Sequence, residues 1–228
     1  MPNITLVTLG GIPGLDQAAM IQGNSNNCGA YATIAAVGAH RCFPMQANLA
    51  YQNAGPQAVN NAAAIKPIDK YPELSAAVYA ITGILNFPTG MSRVYPELRS
   101  AGNVYNSPAA MAQAAIDLGR PLPQINIQPT GFARLSPLYP GERARCEDVV
   151  GTENFDVAAG SYILPGPDAT HLVCVEVSTG GLHWVAQGSN GDFYDPYDGS
   201  LNNLWEPVNT GDLMGPNYLF AGLWLVIT

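Results

Sequence analysis

The chain has 228 residues, of which 47% are hydrophobic and 11% charged, and its 24 glycines and 19 prolines form neither tracts nor a period. This composition is typical of a folded, loop-rich globular protein and excludes a disordered or fibrous one. A formal net charge of −8 disfavours nucleic-acid binding, because neutralising phosphates supplies most of that affinity. The longest strongly apolar stretch, 218–228, is shorter than the roughly 20 residues that a membrane-spanning helix needs.

Two features of the sequence bear on localisation, which stays unknown. The N-terminal sequence MPNITLVTLGG has no basic leader and no long apolar block, so we expect a soluble protein without a Sec signal peptide. Only Lys66 and Lys70 are lysines. This scarcity is compatible with a toxin or effector that avoids lysine modification, and any secretion would then use a specialised system.

Three helices are predicted in the first half of the chain. The first, CGAYATIAAVGAH over 28–40, follows several potential N-cap residues and is small or apolar at almost every position, as in a buried helix. The second covers 71–85, with a proline in its first turn. The third follows the N-cap Ser107, has Pro108 in its first position and ends at Gly119.

The second half of the chain is dominated by short extended runs. Strands are predicted over 121–128, 170–177, 182–187, 193–195 and 222–228. The intervening segment, 129–169, is rich in proline and glycine and has no firm periodicity. A segment of this length without secondary structure in a compact domain is either functional or misread as irregular.

These elements predict an α+β fold in a single domain, 1–228. A mainly helical lobe over 1–119 would pack against a mainly antiparallel β lobe over 120–228, with the active site in the cleft between them.

Cys28 is the candidate nucleophile. Four cysteines in a chain of this length are too few for a disulfide framework, and Cys28 stands at a predicted helix start, where the helix dipole favours a thiolate. Six residues upstream, Gln22 could donate a hydrogen bond that forms an oxyanion hole with the Cys28 N–H. A cysteine at this position is also compatible with a small core residue.

The general base is predicted in the sequence LHWVAQGSNGDFYDPYDG. A turn of three residues (188–190) or five (187–191) would place His183 directly opposite Asp195 on one side of a hairpin. Asp195 could then orient the imidazole while its other nitrogen addresses Cys28. These three residues would form a Cys-His-Asp triad.

Three segments resemble papain-like cysteine peptidases. QGNSNNCGAYA is similar to their nucleophile segment, with a Gln six residues before the Cys. HWVAQGSNGDFYDPYDG resembles the His strand, turn and Asp-Pro strand of bacterial relatives, including leader peptidases and type III effector proteases, and LGRPLPQINI is similar to a segment of the leader peptidases. The resemblance implies a cysteine peptidase that acts on a peptide or protein, with a host protein as one candidate target.

A second histidine competes for the role of base. His171 lies 143 residues after Cys28 and His183 lies 155 after it, and the shorter separation is the more usual one in papain-type enzymes. A four-residue turn over 178–181 would place His171 opposite Gly188, with Gln187 or Asn190 as its orienting partner. We favour His183 because Asp195 accompanies it.

Two other functions remain open from the sequence. The same triad could act on a side-chain amide, as in a glutamine deamidase or a transglutaminase-like acyltransferase, or the chain could be a binding protein on a degenerate papain-like fold. We expect neither cofactor nor metal, because the spacing of Asp192, Asp195 and Asp198 does not match an EF-hand.

Overall fold

The computed structural model describes residues 9, 21–22, 26–40, 49–50, 58–59, 74–75, 78–79, 82, 106–135, 141–202, 207–214 and 217–228. Most of the helix predicted over 71–85 lies outside the described residues, and its described positions 74–75, 78–79 and 82 are helical. Cys42, Lys66 and Lys70 also lie outside them.

The described strands form a small and a large sheet. The small sheet pairs β1 (Leu49–Ala50) with β2 (Ala58–Val59). The large sheet has eight strands: β3 Gln124–Ile127, β4 Phe155–Asp156, β5 Thr170–Val177, β6 Leu182–Gln187, β7 Phe193–Asp195, β8 Ser200–Asn202, β9 Leu213–Met214 and β10 Tyr218–Ile227. Its order is β4-β3-β10-β5-β6-β7-β8, and β9 pairs with β10. Neighbours are antiparallel except β3 and β4, which run parallel.

The predictions for β5, β6 and β7 are confirmed with the same bounds. Strand β10 begins at Tyr218, four residues before the predicted start at Gly222. A β-bulge between Phe220 and Leu223 allows the strand to continue through Gly222. Gly222 has a φ of +77°, and its carbonyl accepts a hydrogen bond from Gln128 N–H at 2.8 Å. A glycine adopts this left-handed conformation without the strain that a Cβ would add.

Four helices are described with full bounds: α1 Cys28–Ala39, α2 Pro108–Asp117, α3 Pro129–Leu135 and α4 Glu142–Val150. The predicted buried helix is confirmed, since every residue of α1 is buried. The third predicted helix is also confirmed: Ser107 caps α2, Pro108 is its first residue and Gly119 follows it with a φ of +89°.

The described part of 129–169 is not irregular, so the alternative of a misread segment is confirmed. The segment contains α3, α4, a 3₁₀ turn (Thr152–Asn154) and β4. Helix α4 carries no apolar stripe, because its buried face includes the ion pair of Glu142 and Arg145. Apolar periodicity therefore does not reveal it.

Two hydrophobic clusters cover the two faces of the large sheet. Alternate residues of β5 point to opposite sides, so Leu172 and Cys174 belong to one cluster and Val173 and Val175 to the other. Helix α1 packs against β5 and β6 on the first face, and α2 packs against α1. The fold is thus mixed α and β, with a buried helix between the sheet and further helices.

The buried ion pair ties the start of α2 to α4. Glu142 accepts hydrogen bonds from Ser107 Oγ and from Ala109 N–H, the latter at 2.8 Å. Its other oxygen accepts one from Arg145 Nε at 2.9 Å. Burying a charged carboxylate is costly unless it is paired and hydrogen-bonded. The hydrogen bonds to Glu142 therefore also hold the backbone around Ser107 in place.

The β6–β7 hairpin differs from its predicted register. In the β6–β7 hairpin Ala186 faces Tyr194, where the prediction placed residue 192. The turn occupies 188–192 and is closed by Gly188 N–H to Asp192 C=O at 2.8 Å. Since the shift is by two residues, the side chains of both strands keep their predicted faces.

Candidate active site

Cys28 is the first residue of α1 and is buried, with 6% of its surface exposed. The N-terminus of a helix stabilises a nearby anion, which suits a nucleophilic sulfur. The next residue is a glycine because the Asn106 side chain fills the space beside it. A Cβ at position 29 would collide with Cβ of Asn106. The described cysteines, Cys28, Cys146 and Cys174, are free thiols.

His183 and Asp195 are hydrogen-bonded, with 2.7 Å between Nε2 and Oδ1. They lie on the same face of the β6–β7 hairpin as diagonal neighbours. The predicted direct opposition is wrong by two residues, but diagonal partners on a sheet remain within reach of long side chains. Both side chains are buried.

The electrostatics of His183 link it to both predicted partners. Burial lowers its pKa, but the charge of Cys28, hydrogen bonds to Asp195 and Cys28 and the charge of Asp195 raise this pKa to about 10. Because Nε2 faces Asp195, Nδ1 is the nitrogen left for the sulfur. The imidazole therefore lies between a carboxylate and a thiol and is stabilised in its protonated form.

Asp195 is held by two further donors. Tyr197 N–H donates to Oδ1 at 2.9 Å and the Tyr218 hydroxyl to Oδ2 at 2.8 Å. Burial acts to raise the pKa of Asp195, but hydrogen bonds and the charge of His183 hold it below its usual range. Tyr218 also stacks on the imidazole, with 5.5 Å between ring centroids and 26° between planes.

Gln22 lies at the end of the strand that carries Asp195. Its backbone N–H donates to the carbonyl of Pro196 at 2.9 Å, and the side chain of the preceding Ile21 covers the turn at Gly199. Residues 21–22 thus lie alongside the 195–199 turn. This contact brings Gln22 to the region of the predicted triad.

His171 has different surroundings. Its Nδ1 is 2.9 Å from the Tyr162 hydroxyl, and burial lowers its pKa to about 3. The predicted pairing of His171 with Gly188 is wrong by one residue, since His171 faces Gln187. The Tyr162 hydroxyl donates a hydrogen bond to the Gln187 side chain. A buried, neutral imidazole in an aromatic cluster is typical of a structural role.

Three further residues around the site were not predicted. Tyr218 supports Asp195 from β10. Asn106 Nδ2 lies 3.8 Å from Sγ of Cys28, and Thr82 donates to Asn106 Oδ1 at 2.6 Å. No local motif marks these residues, because long-range packing alone brings them to the thiol.

Neither a metal centre nor a membrane helix is found in the described part of the chain. No group of three or more His, Cys, Asp or Glu residues there could hold a metal ion. Asp192 and Asp198 instead accept backbone hydrogen bonds, from Leu9 and Ser200. No helix among the same residues is long and apolar enough to cross a membrane.

A thiol at a helix start, next to an imidazole that is bonded to a carboxylate, is the arrangement used by cysteine hydrolases. The model of the IpaJ protease family, described as "Invasion plasmid antigen J, cysteine protease", matches residues 21–228. The chain therefore belongs to this family, which is that of a bacterial type III effector, and it is a cysteine protease with a protein substrate. The comparisons with curated proteins and with solved structures gave no match.

Proposed function

We propose that the protein is a papain-like cysteine protease with Cys28 as nucleophile, His183 as general base and acid, and Asp195 as the residue that orients the imidazole. The observation that carries this proposal is the 2.7 Å hydrogen bond between His183 and Asp195, with the charge of Cys28 acting on the same imidazole. Reactive cysteines in hydrolases need an adjacent base that a third group orients, and this arrangement supplies both.

In the proposed reaction the Cys28 sulfur attacks the carbonyl carbon of a peptide bond. The Cys28 N–H and the Gln22 side chain stabilise the oxyanion. His183 Nδ1 gives its proton to the leaving amine as the carbon–nitrogen bond breaks, and a thioester remains on Cys28. His183 then takes a proton from water, whose oxygen attacks the thioester carbon. The carbon–sulfur bond breaks, the acid leaves, and the Cys28 thiolate and the His183 imidazolium are restored.

The proposed architecture is a single papain-like domain. Residues 1–119 carry the nucleophile and 120–228 carry the base and its carboxylate, with the substrate cleft between them. The packing of α1 against β5 and β6 supports this arrangement. The membership of an effector family supports a secreted bacterial effector that acts on a host protein.

The triad can be tested by alkylation with iodoacetamide as a function of pH, read by mass spectrometry of each cysteine peptide. Cys28 should react much faster than the other described cysteines, because the thiolate is the reactive form and His183 is available to take the proton of the thiol. Cys146 serves as an internal standard, because burial raises its pKa well above the ordinary value.

Matched variants identify the base. His183→Ala should abolish the rapid reaction, whereas His171→Ala, which removes an equally buried imidazole, should leave it intact. Loss of the reaction in His171→Ala alone would reject His183 as the base. Slow labelling of Cys28 in the wild type would reject the triad.

Hydrolysis can be tested with a proteome-derived peptide library. New peptide termini should appear with the wild type and disappear with Cys28→Ala. Intact peptides with a converted glutamine would instead indicate a deamidase, and crosslinked pairs an acyltransferase.

A further inference from the structure

We infer that Asn106 is a further catalytic residue, whose carboxamide donates a hydrogen bond to the Cys28 thiolate and is held in that orientation by Thr82. The inference rests on the proposed function, since it concerns the nucleophile of the same site. Its basis is a chain of three side chains from distant parts of the sequence.

The orientation of the Asn106 amide is fixed by its partners. The carbonyl of Asn26 can only accept a hydrogen bond, and it lies 2.9 Å from Nδ2. The Thr82 hydroxyl lies 2.6 Å from Oδ1 and donates to it. With the oxygen held by Thr82 and one amide hydrogen by Asn26, the other hydrogen is left for Sγ of Cys28 at 3.8 Å.

The position of Asn106 is also fixed by the backbone. Ser107 N–H donates to the carbonyl of Thr82 at 2.9 Å, and the Ser107 side chain is bonded to the buried carboxylate of Glu142. Asn106 and Thr82 are almost completely buried, with 1% and 0% of their surfaces exposed. The amide therefore has little freedom to leave the sulfur.

Gly29 gives independent support. Glycine is the usual residue where another group approaches the backbone closely, because it has no Cβ. Here a methyl group would collide with Cβ and Cγ of Asn106 and with Sδ of Met111. The Asn106 side chain, together with Met111, thus excludes any side chain at position 29.

A donor at this place acts on the sulfur in its anionic state. A hydrogen bond to a charged group is stronger than one to a neutral group, so the amide stabilises the thiolate more than the thiol. The site then has two stabilising partners for the anion, the His183 imidazolium and the Asn106 amide. Removal of either should reduce the thiolate fraction at low pH.

The test is the pH profile of Cys28 alkylation with iodoacetamide in four variants. Asn106→Ala should move the midpoint of the profile up by about one unit and slow labelling about tenfold on its acidic side. Thr82→Val, which removes only the hydroxyl that holds the amide, should shift the midpoint in the same direction by less. Thr82→Ser keeps the hydroxyl that holds the amide, so this variant should have the same pH profile as the wild type.

Thr33→Val is the matched control. The Thr33 hydroxyl is equally buried and bonds to the Gly29 carbonyl at 2.7 Å. Thr33→Val removes a buried threonine hydrogen bond on α1, the helix that carries Cys28, without altering the Asn106 amide. The pH profile of Cys28 labelling should therefore not move. If Asn106→Ala fails to fold by circular dichroism, the two Thr82 variants decide the question by themselves.

The outcomes separate this inference from the function on which it rests. If His183→Ala abolishes rapid labelling but Asn106→Ala and Thr82→Val retain the wild-type profile, the role of Asn106 is rejected and the triad stands. If wild-type Cys28 labels as slowly as Cys146 and His183→Ala changes nothing, both are rejected.

Discussion

The pKa of His183 gives the sharpest test of the electrostatics of the site. It is raised to about 10 through Cys28 and Asp195, against the effect of burial. Replacing Asp195 by Asn removes the negative charge but preserves the shape. The Asn oxygen can accept from His183 and Tyr197 N–H, and its amide can donate to the oxygen of Tyr218.

The expected magnitude follows from the loss of one charged hydrogen bond. Such a bond contributes about 1.5–3 kcal/mol, and one pKa unit corresponds to about 1.4 kcal/mol. Loss of a negative partner destabilises the imidazolium, so the pKa of His183 should fall by about 1–2 units, to about 8–9. His40 and His171 should keep their pKa values of about 4 and 3, which burial lowers.

The assay is a two-dimensional ¹H–¹⁵N NMR titration of the imidazole nitrogens. The chain has three histidines, so the spectra should resolve every ring, and His183→Ala assigns the signal that matters. Asp198→Asn is the matched control, because Asp198 accepts from Ser200 N–H at 2.8 Å. A wild-type His183 that titrates near the ordinary 6.5, or an unchanged pKa in Asp195→Asn, would refute the reasoning.

The same shift sets a pH dependence of folding stability. Because the folded-state pKa of His183 lies above the unfolded value of 6.5, its stabilising contribution is complete below about pH 6.5 and is lost as the pH rises through about 10. Asp195→Asn should therefore lower the free energy of unfolding at neutral pH, as measured by urea denaturation.

Three further substitutions test contacts around the site and in the core. Tyr218→Phe should retain the stacking on the imidazole but lose the bond to Asp195, and so reduce peptide cleavage severalfold and lower the basic limb of its pH profile. Glu142→Gln should destabilise the fold by about 3–5 kcal/mol in urea unfolding, because it removes the buried negative charge that is paired with the Arg145 guanidinium. Gly222→Ala should destabilise it by at least about 2 kcal/mol, because the new methyl would meet a threonine hydroxyl and the backbone φ is +77°.

Each of these substitutions has a matched control. Tyr197→Phe alters an exposed tyrosine beside Asp195 and should leave cleavage unchanged. Glu147→Gln breaks the exposed ion pair with Arg143 and should change stability by less than about 0.5 kcal/mol. Gly180→Ala meets nothing within 4 Å despite a φ of +88°, so it should cost only the backbone strain. Equal losses in the test and control variants would contradict the structural reasons given.

The sequence predicts the centre of the sheet well because local patterns coincide with tertiary burial there. Strands β5, β6 and β7 are β-branched or aromatic runs that end at glycine, proline or polar turns. Helices α3 and α4 escape prediction for the opposite reason. The buried face of α4 is built on the Glu142–Arg145 pair, and charged residues in a sequence are read as solvent-exposed.

The predicted site follows the same division. Cys28, His183 and Asp195 carry reactive side chains in recognisable local settings, a helix start and a hairpin. The predicted register of the β6–β7 hairpin differs from the observed one by two residues, because the length of the turn depends on the left-handed conformation of Gly191. Thr82, Asn106 and Tyr218 have ordinary local sequences, and only long-range packing brings them to the proposed triad.

The position of Tyr218 on β10 has a consequence for the order in which the site matures during synthesis. The ribosome completes Cys28, His183 and Asp195 before it makes β10, which lies between β3 and β5 in the sheet. Until that strand inserts, Asp195 lacks its second support and β5 lacks one of its neighbours. The nascent chain thus carries all three residues of the proposed triad in an incomplete scaffold, and insertion of β10 is the step that completes the hydrogen bonds of the Asp195 carboxylate.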